Sequence, residues 1–313
     1  MTFGSAPGKV ILFGEHAVVY GRPALAAPVN GVQARAEVVD LPKHPAGKVR
    51  LEAPQMRLGG WLHALERNER LVQAVGRALE LLEARPACAL LVRLDSSLPV
   101  AAGLGSSAAV SVALLRGLSA HLDVPLTTER LSELSLELEK FFHGTPSGID
   151  TSVIAFGKPV YFVRGQVPVA LQPAQPLHLV IADSGQPSDT MQVVGEVRAA
   201  REREPERYER LFDAVGKIAG QARERIETGQ GSPLGALMDE NQARLAEMGV
   251  SSDRLEGLVA AARQAGAQGA KLSGAGRGGN IIALVTPDTA GPVGQALRQA
   301  GAVGLLHTVV GEQ

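Results

Sequence analysis

Residues 100–111 run VAAGLGSSAAVS. They lie between an apolar, strand-like run, ALLVRLDSSLP, and a helical pattern that reaches about Leu122. A strand, a glycine-serine loop and a helix in that order constrain the fold more than any other feature of the chain. Glycines let a backbone approach a ligand closely and point successive N–H groups toward it. Ser106 and Ser107 supply hydroxyls. The unpaired amides and positive dipole end of the following helix favour an anion by about 0.5–2 kcal/mol. The chemistry is that of a phosphate cradle whose cation comes from elsewhere.

Two familiar phosphate loops fit poorly. A Walker A loop needs a lysine after its last glycine, and none is present here. A dinucleotide fingerprint, G-x-G-x-x-G/A, matches Gly103-Leu104-Gly105-Ser106-Ser107-Ala108, with Asp123 about 20 residues on. Its first glycine should end a strand, however, and SSLPVAA intervenes after Asp95. Asp123 also lies at the end of the helix, beside Pro125. A plain helix cap remains the bland alternative.

Composition excludes several classes. With 313 residues, the chain has room for two ordinary domains. Apolar residues make up 45%, charged ones 20%, and the net charge is −1, so no global field points to nucleic acid or an anionic membrane. Lys9, Glu15, His16 and Arg22 argue against a signal peptide. No apolar run reaches the roughly 18–20 residues of a membrane span. Cys88, in ACALLV, is expected to be a buried small hydrophobe, with no disulfide or zinc framework around it. A reducing cytoplasm is the simplest setting.

Along the chain, KVILFGEHAVVYG suggests strands and tight turns. VQARAEVVD alternates as a half-buried strand, with HPAGKVRLEAP as its expected hairpin partner. Helical spacing covers 69–84, and Thr127 or Thr128 caps a helix through LSELSLELEKFF. HGTPSGIDTSVIAFG is expected to be a loop, followed by a strand at PVYFVRG. Prolines 168, 173 and 176 suggest a boundary near 165, giving domains 1–165 and 166–313. LHLVIADSG is a strand. A helical pattern then spans 190–228 with a break near Pro205, and helices follow at 233–248, 253–265 and 289–300. NIIALV and GLLHTVV supply the last strands.

Two further stretches complete the pattern. Ala6-Pro7-Gly8-Lys9-Val10 begins the chain, followed by FGEHAVVYG. Lys271-Leu272-Ser273-Gly274-Ala275-Gly276-Arg277-Gly278-Gly279 lies near its end. With PVAAGLGSSAA they make three separated motifs in fixed order. The set resembles the GHMP kinases, most closely those that phosphorylate mevalonate, because GKVILFGEHAVVYGRPALA and HGTPSGID accompany it. The resemblance covers nearly the whole chain. It implies an α+β, two-domain fold: an N-terminal domain with a left-handed βαβ unit and a C-terminal ferredoxin-like domain, with ATP and mevalonate in the cleft between them.

The resemblance also implies roles. Asp150 and Lys9 would be catalytic: the carboxylate accepts the alcohol proton, and the cation stabilises charge on the transferring group. Ala102, Gly103, Leu104, Gly105, Ser106, Ser107 and Ala108 would bind ATP. Mg²⁺ would take Glu139, eleven residues before Asp150, and a loop serine, with Ser106 preferred to Ser107. Glu15, His16, Gly148, Thr190, Gly274, Ala275 and Gly276 would line the substrate. There the histidine would pair with the carboxylate of mevalonate and the glutamate would accept from a hydroxyl.

Each of these residues has a plainer reading. Lys9 could be a solvated strand-edge lysine, Asp150 a turn residue, Glu139 an exposed helical acid, and Glu15 with His16 a buried hairpin pair. Tyr20 could belong to the core or the rim, and Trp61 to an adenine wall or the core. A homodimer is an expectation that rests on the resemblance alone. Arg277 breaks the usual glycine run, and Ser188, Asp189 and Met191 replace the usual neighbours of Thr190, which bears on acceptor choice. The competing functions are another small-alcohol kinase of the family, such as phosphomevalonate kinase or galactokinase, and a non-catalytic sensor on the same fold.

Overall fold

The computed structural model describes residues 1–66, 69–99, 103–143, 146–231 and 233–311, with backbone only at 142 and 143. In chain order the strands are β1 (Thr2–Phe13), β2 (Ala24–Leu41), β3 (Val49–Ala53), β4 (Leu58–Trp61), β5 (Ala89–Ser96), β6 (Val160–Phe162), β7 (Val169–Ala170), β8 (Leu177–Asp183), β9 (Gly269–Ser273), β10 (Asn280–Val285) and β11 (Gly304–Val310). The helices are α1 (Arg70–Leu81), α2 (Ser106–His121), α3 (Thr128–His143), α4 (Ile149–Phe156), α5 (Thr190–Arg203), α6 (Pro205–Thr228), α7 (Leu234–Glu247), α8 (Asp253–Gln264) and α9 (Pro287–Gln299). They form two compact units, each assembled from separated stretches. The first holds Met1–Gly8, Val32–Leu98 and Gly105–Gly157; the second holds Lys9–Gly31, Pro99–Leu104 and Lys158–Gln313.

In the first unit the strands lie in the order β4-β3-β5-β2. The alternation in VQARAEVVD does mark a strand, but its partner is β5, antiparallel, with Val38 opposite Val92. The expected hairpin of β2 with β3 does not form. β3 instead runs parallel to β5 and pairs with β4 as a hairpin. Parallel neighbours need a crossover, and α1 lies between β4 and β5 in the chain to provide it.

Helix α2 buries Ala108, Ala109, Val112, Ala113, Leu114, Leu115 and Leu118. An apolar surface this broad belongs to a helix packed on several sides. The stretch IDTSVIAF, expected to be loop, forms α4, begun by Gly148 in the left-handed conformation and ended by Gly157 in the same region. Eight residues are too few for a clear helical period, and four of them are β-branched, which lowers helix propensity. Burial of Ile149, Val153 and Ile154 overrides that propensity. Cys88 is half-exposed rather than buried, and its thiol donates to Asp40 at 3.2 Å.

The second unit contains a four-stranded antiparallel sheet, β11-β8-β10-β9. Val180, Ala182, Ala270, Leu272, Ile281 and Ala283 share its core with Phe212, Leu255, Leu258 and Leu297 from the helices. The break near Pro205 is real: α5 ends at Arg203, and the proline opens α6 at a position where its missing N–H costs nothing. In the same unit Ser273 reaches β1. Its hydroxyl donates to the Ile11 carbonyl and accepts from the Ile11 amide, both at 3.0 Å. Among the described residues no helix is long and apolar enough to cross a membrane.

Candidate active site

The glycine loop is built for a sharp turn into a helix. Gly103 and Gly105 have φ of +71° and +74°. Gly105 caps α2 without a side chain, so the first-turn amides of α2 meet no capping group from their own N-cap. Ala102 lies outside the described residues. The carbonyl of Leu104 accepts from the Lys9 amide at 2.9 Å, which ties the β1 backbone to the loop. Lys9 itself is buried, not the solvated edge lysine of the plainer reading.

Glu139 is also buried, at 4% exposure. Its Oε2 accepts from Ser107 Oγ at 2.8 Å and its Oε1 from Ser111 Oγ at 3.1 Å. The hydroxyl set against Glu139 is that of Ser107, the neighbour of the Ser106 that the resemblance favours. Ser111 was missed. Its signal was available, since residues four apart on a helix share a face. Asp150 sits in the first turn of α4, where a carboxylate is well placed against the helix dipole. Its neighbour Ser152 donates to the Gly148 carbonyl at 2.7 Å, and Thr151 donates to the same carbonyl at 3.1 Å. Those bonds fix the turn that presents Asp150. Helix α3, which carries Glu139, packs against α4.

In the second unit Glu15 and His16 follow β1. The Glu15 carboxylate is almost fully buried and ion-paired to Lys271, which is wholly buried. Its other oxygen accepts from Asn241 Nδ2 at 3.1 Å. Burial pushes the Lys271 pKa below its ordinary value, against the pull of Glu15. His16 Nε2 donates to the Ala275 carbonyl at 2.8 Å. Burial holds its pKa below the usual histidine value, and the Arg277 charge acts in the same direction. A neutral ring with its proton on Nε2 leaves Nδ1 as an acceptor. His16 Nδ1 can therefore accept from a hydroxyl, and each Glu15 oxygen already accepts one bond.

The third glycine motif turns at Gly274 and Gly276, with φ of +98° and +88°. Ser188 Oγ donates to the Gly276 carbonyl at 2.6 Å, and Arg277 is ion-paired to Glu196 on α5. The two departures noted in the sequence, around Ser188 and at Arg277, are thus joined in space. Thr190 opens α5 behind its cap Asp189 and is exposed. Tyr20 stacks on Phe212 at 4.2 Å and lies under the Arg201 guanidinium at 5.0 Å. Trp61 is half-buried and meets the edge of His44 at 4.9 Å.

The chain is also similar to known proteins over nearly its whole length. Residues 70–158 match the model of the GHMP kinases N terminal domain, and residues 222–303 match GHMP kinases C terminal. The mevalonate kinase of Pyrococcus abyssi is 35% identical, over 99% of this chain and 96% of that one. The mevalonate kinase of Thermococcus gammatolerans is 36% identical, over 97% and 95%. The crystal structure of L. major mevalonate kinase in complex with R-mevalonate superposes with a TM-score of 0.84 at 30% identity, covering 99% of this chain and 96% of that one. The chain belongs to the GHMP kinases and, within them, to the mevalonate kinase family.

Proposed function

We propose that this protein transfers the γ-phosphoryl group of ATP to the 5-hydroxyl of mevalonate, giving 5-phosphomevalonate and ADP for isoprenoid precursor synthesis. The observation that carries the reading is full-length identity of about a third to mevalonate kinases, retained together with a buried Lys9, a braced Glu139 and a first-turn Asp150.

Each residue then has a task. The amides of Gly105, Ser106 and Ser107 face the phosphates at the head of α2. Asp150 accepts the proton of the alcohol as its oxygen attacks phosphorus in line. Lys9 stabilises the charge spread over the transferring group. His16 orients the acceptor by accepting from one of its hydroxyls.

Mg²⁺ fits the donor set around Glu139. This cation takes few protein oxygens beside water and phosphate, and one buried carboxylate flanked by two hydroxyls meets that demand. Glu139 with Ser107 would hold it, and the bound ion would neutralise charge on the phosphate oxygens. A coupled ADP-release assay over mevalonate, phosphomevalonate, galactose and homoserine tests the assignment. Release with mevalonate alone supports it, whereas release only with another alcohol overturns the substrate.

A further inference from the structure

His16 has φ of +59° and ψ of −48°, and the Ala17 amide donates to the Glu15 carbonyl at 2.6 Å. A bond from residue i+2 back to i around a positive φ is a γ-turn of the rarer, strained kind. A residue with a Cβ keeps that geometry only where its surroundings over-determine it. Here they do so from both sides. On one side, the Glu15 carboxylate is held by Lys271 and by Asn241, and both of those residues are wholly buried. Lys271 in turn donates to the Leu272 carbonyl at 2.6 Å. On the other side, the imidazole is held by the Ala275 carbonyl.

A buried ion pair is a poor way to gain stability, because an apolar pair of the same volume is often as good or better. Lys271 and Glu15 therefore call for another role. The turn they brace carries His16, whose Nδ1 is left as an acceptor, whereas the unpartnered Asn241 Oδ1 belongs to a side chain that is itself wholly buried. We infer that the buried Lys271–Glu15–Asn241 cluster is a positioning device for the reaction: it holds the γ-turn at His16 so that Nδ1 faces the acceptor alcohol. Lys271, Glu15 and Asn241 then act through His16 and do not touch substrate themselves. The inference rests on the acceptor role of His16 given above.

Lys271→Met alone would strand a buried carboxylate, so the test uses the double variant Glu15→Gln/Lys271→Met. Imidazole ¹⁵N NMR without substrate, with the His16 signal assigned by its loss in His16→Asn, reads the turn directly. The parent should show the proton fixed on Nε2, and the double variant should show mixed tautomers. An unchanged signal overturns the inference. In steady-state assays the double variant should raise KM for mevalonate about tenfold, the worth of one good hydrogen bond, with KM for ATP nearly unchanged.

In a His16→Asn background the same double change should add less than about twofold, because residues acting through one group are non-additive. A parent-like KM, or full additivity in that background, overturns the inference. If the double variant does not fold, Asn241→Leu removes one anchor, keeps the ion pair and gives the same readouts. A parent that turns over no mevalonate refutes the proposed substrate, while the NMR readout still decides the cluster.

Discussion

Ser107 and Glu139, 32 residues apart in sequence, meet at 2.8 Å, and Ser111 closes on the opposite oxygen of the same carboxylate. Two hydroxyls one turn apart on α2 thereby fix the rotamer of an acid on α3. Glu139→Gln keeps the shape and removes the charge. As loss of the proposed Mg²⁺ ligand, the change should cost about 10²–10³-fold in kcat. The Mg²⁺ concentration for half-maximal activity should rise, with little change in melting temperature. Ser107→Ala should move that concentration more than Ser106→Ala, and the opposite order would restore the sequence-based choice.

Asp150→Asn removes the proposed proton acceptor but leaves the α4 turn, because that turn is held by Thr151, Ser152 and Gly148. The expected loss is ~10²–10⁴-fold in kcat. Mevalonate Kd, measured calorimetrically, should change far less. A variant that keeps most of its turnover would remove Asp150 from the mechanism.

The buried His16 gives a signed pH dependence. Its folded pKa lies below the ordinary 6.5, so on acidification the unfolded chain takes up a proton that the folded one refuses. The unfolded state then binds more protons, and stability falls as pH drops from 6.5 toward the folded value, by at most about 1.4 kcal/mol per pH unit for one group. His16→Asn, which tolerates positive φ, should remove this contribution. Urea melts near pH 7.5 and pH 5.5 should show the stability of the variant falling less than that of the parent. Parallel losses would mean that His16 titrates normally.

Two glycines of one loop should respond differently to alanine. A Cβ on Gly276 would lie 2.0 Å from the Val250 carbonyl oxygen, whereas one on Gly274 meets nothing within 4 Å. Both positions have positive φ, so Gly274→Ala should cost about 1–2 kcal/mol in backbone strain. Gly276→Ala adds a collision with backbone and should cost more than about 3 kcal/mol. Equal losses in denaturant melts would show that the loop around Gly276 can give way.

The sequence announced what depends on local chemistry. Helical spacing placed α1, Pro205 marked the break between α5 and α6, and the glycines marked their turns. Pairings set by distant partners were hidden. Nothing within HPAGKVRLEAP says that β3 will lie parallel to β5 instead of beside β2, because that choice is made by the α1 crossover. Lys271 showed the same limit. Inside KLSGAGRGG it looks like part of a phosphate loop, yet it lies in a wholly buried strand and pairs with Glu15, 256 residues earlier. A separation of 226 residues from Glu15 hid Asn241. Arg277 could be flagged from sequence as a departure, but its partner Glu196 could not, since the ion pair exists only once α5 has folded beside the loop.

The hydroxyl of Ser273 serves the amide and the carbonyl of a single residue, Ile11, and this limits how position 273 can drift. Only a short side chain that both donates and accepts satisfies the two groups, which among the twenty amino acids means serine or threonine. Alanine would orphan two backbone groups at about 1–3 kcal/mol each. Asparagine and cysteine match neither the reach nor the strength of a hydroxyl there. Position 273 is therefore closed to nearly every single-step substitution, whatever the enzyme is asked to phosphorylate. A library randomised at this codon and selected only for folded protein should return serine and threonine.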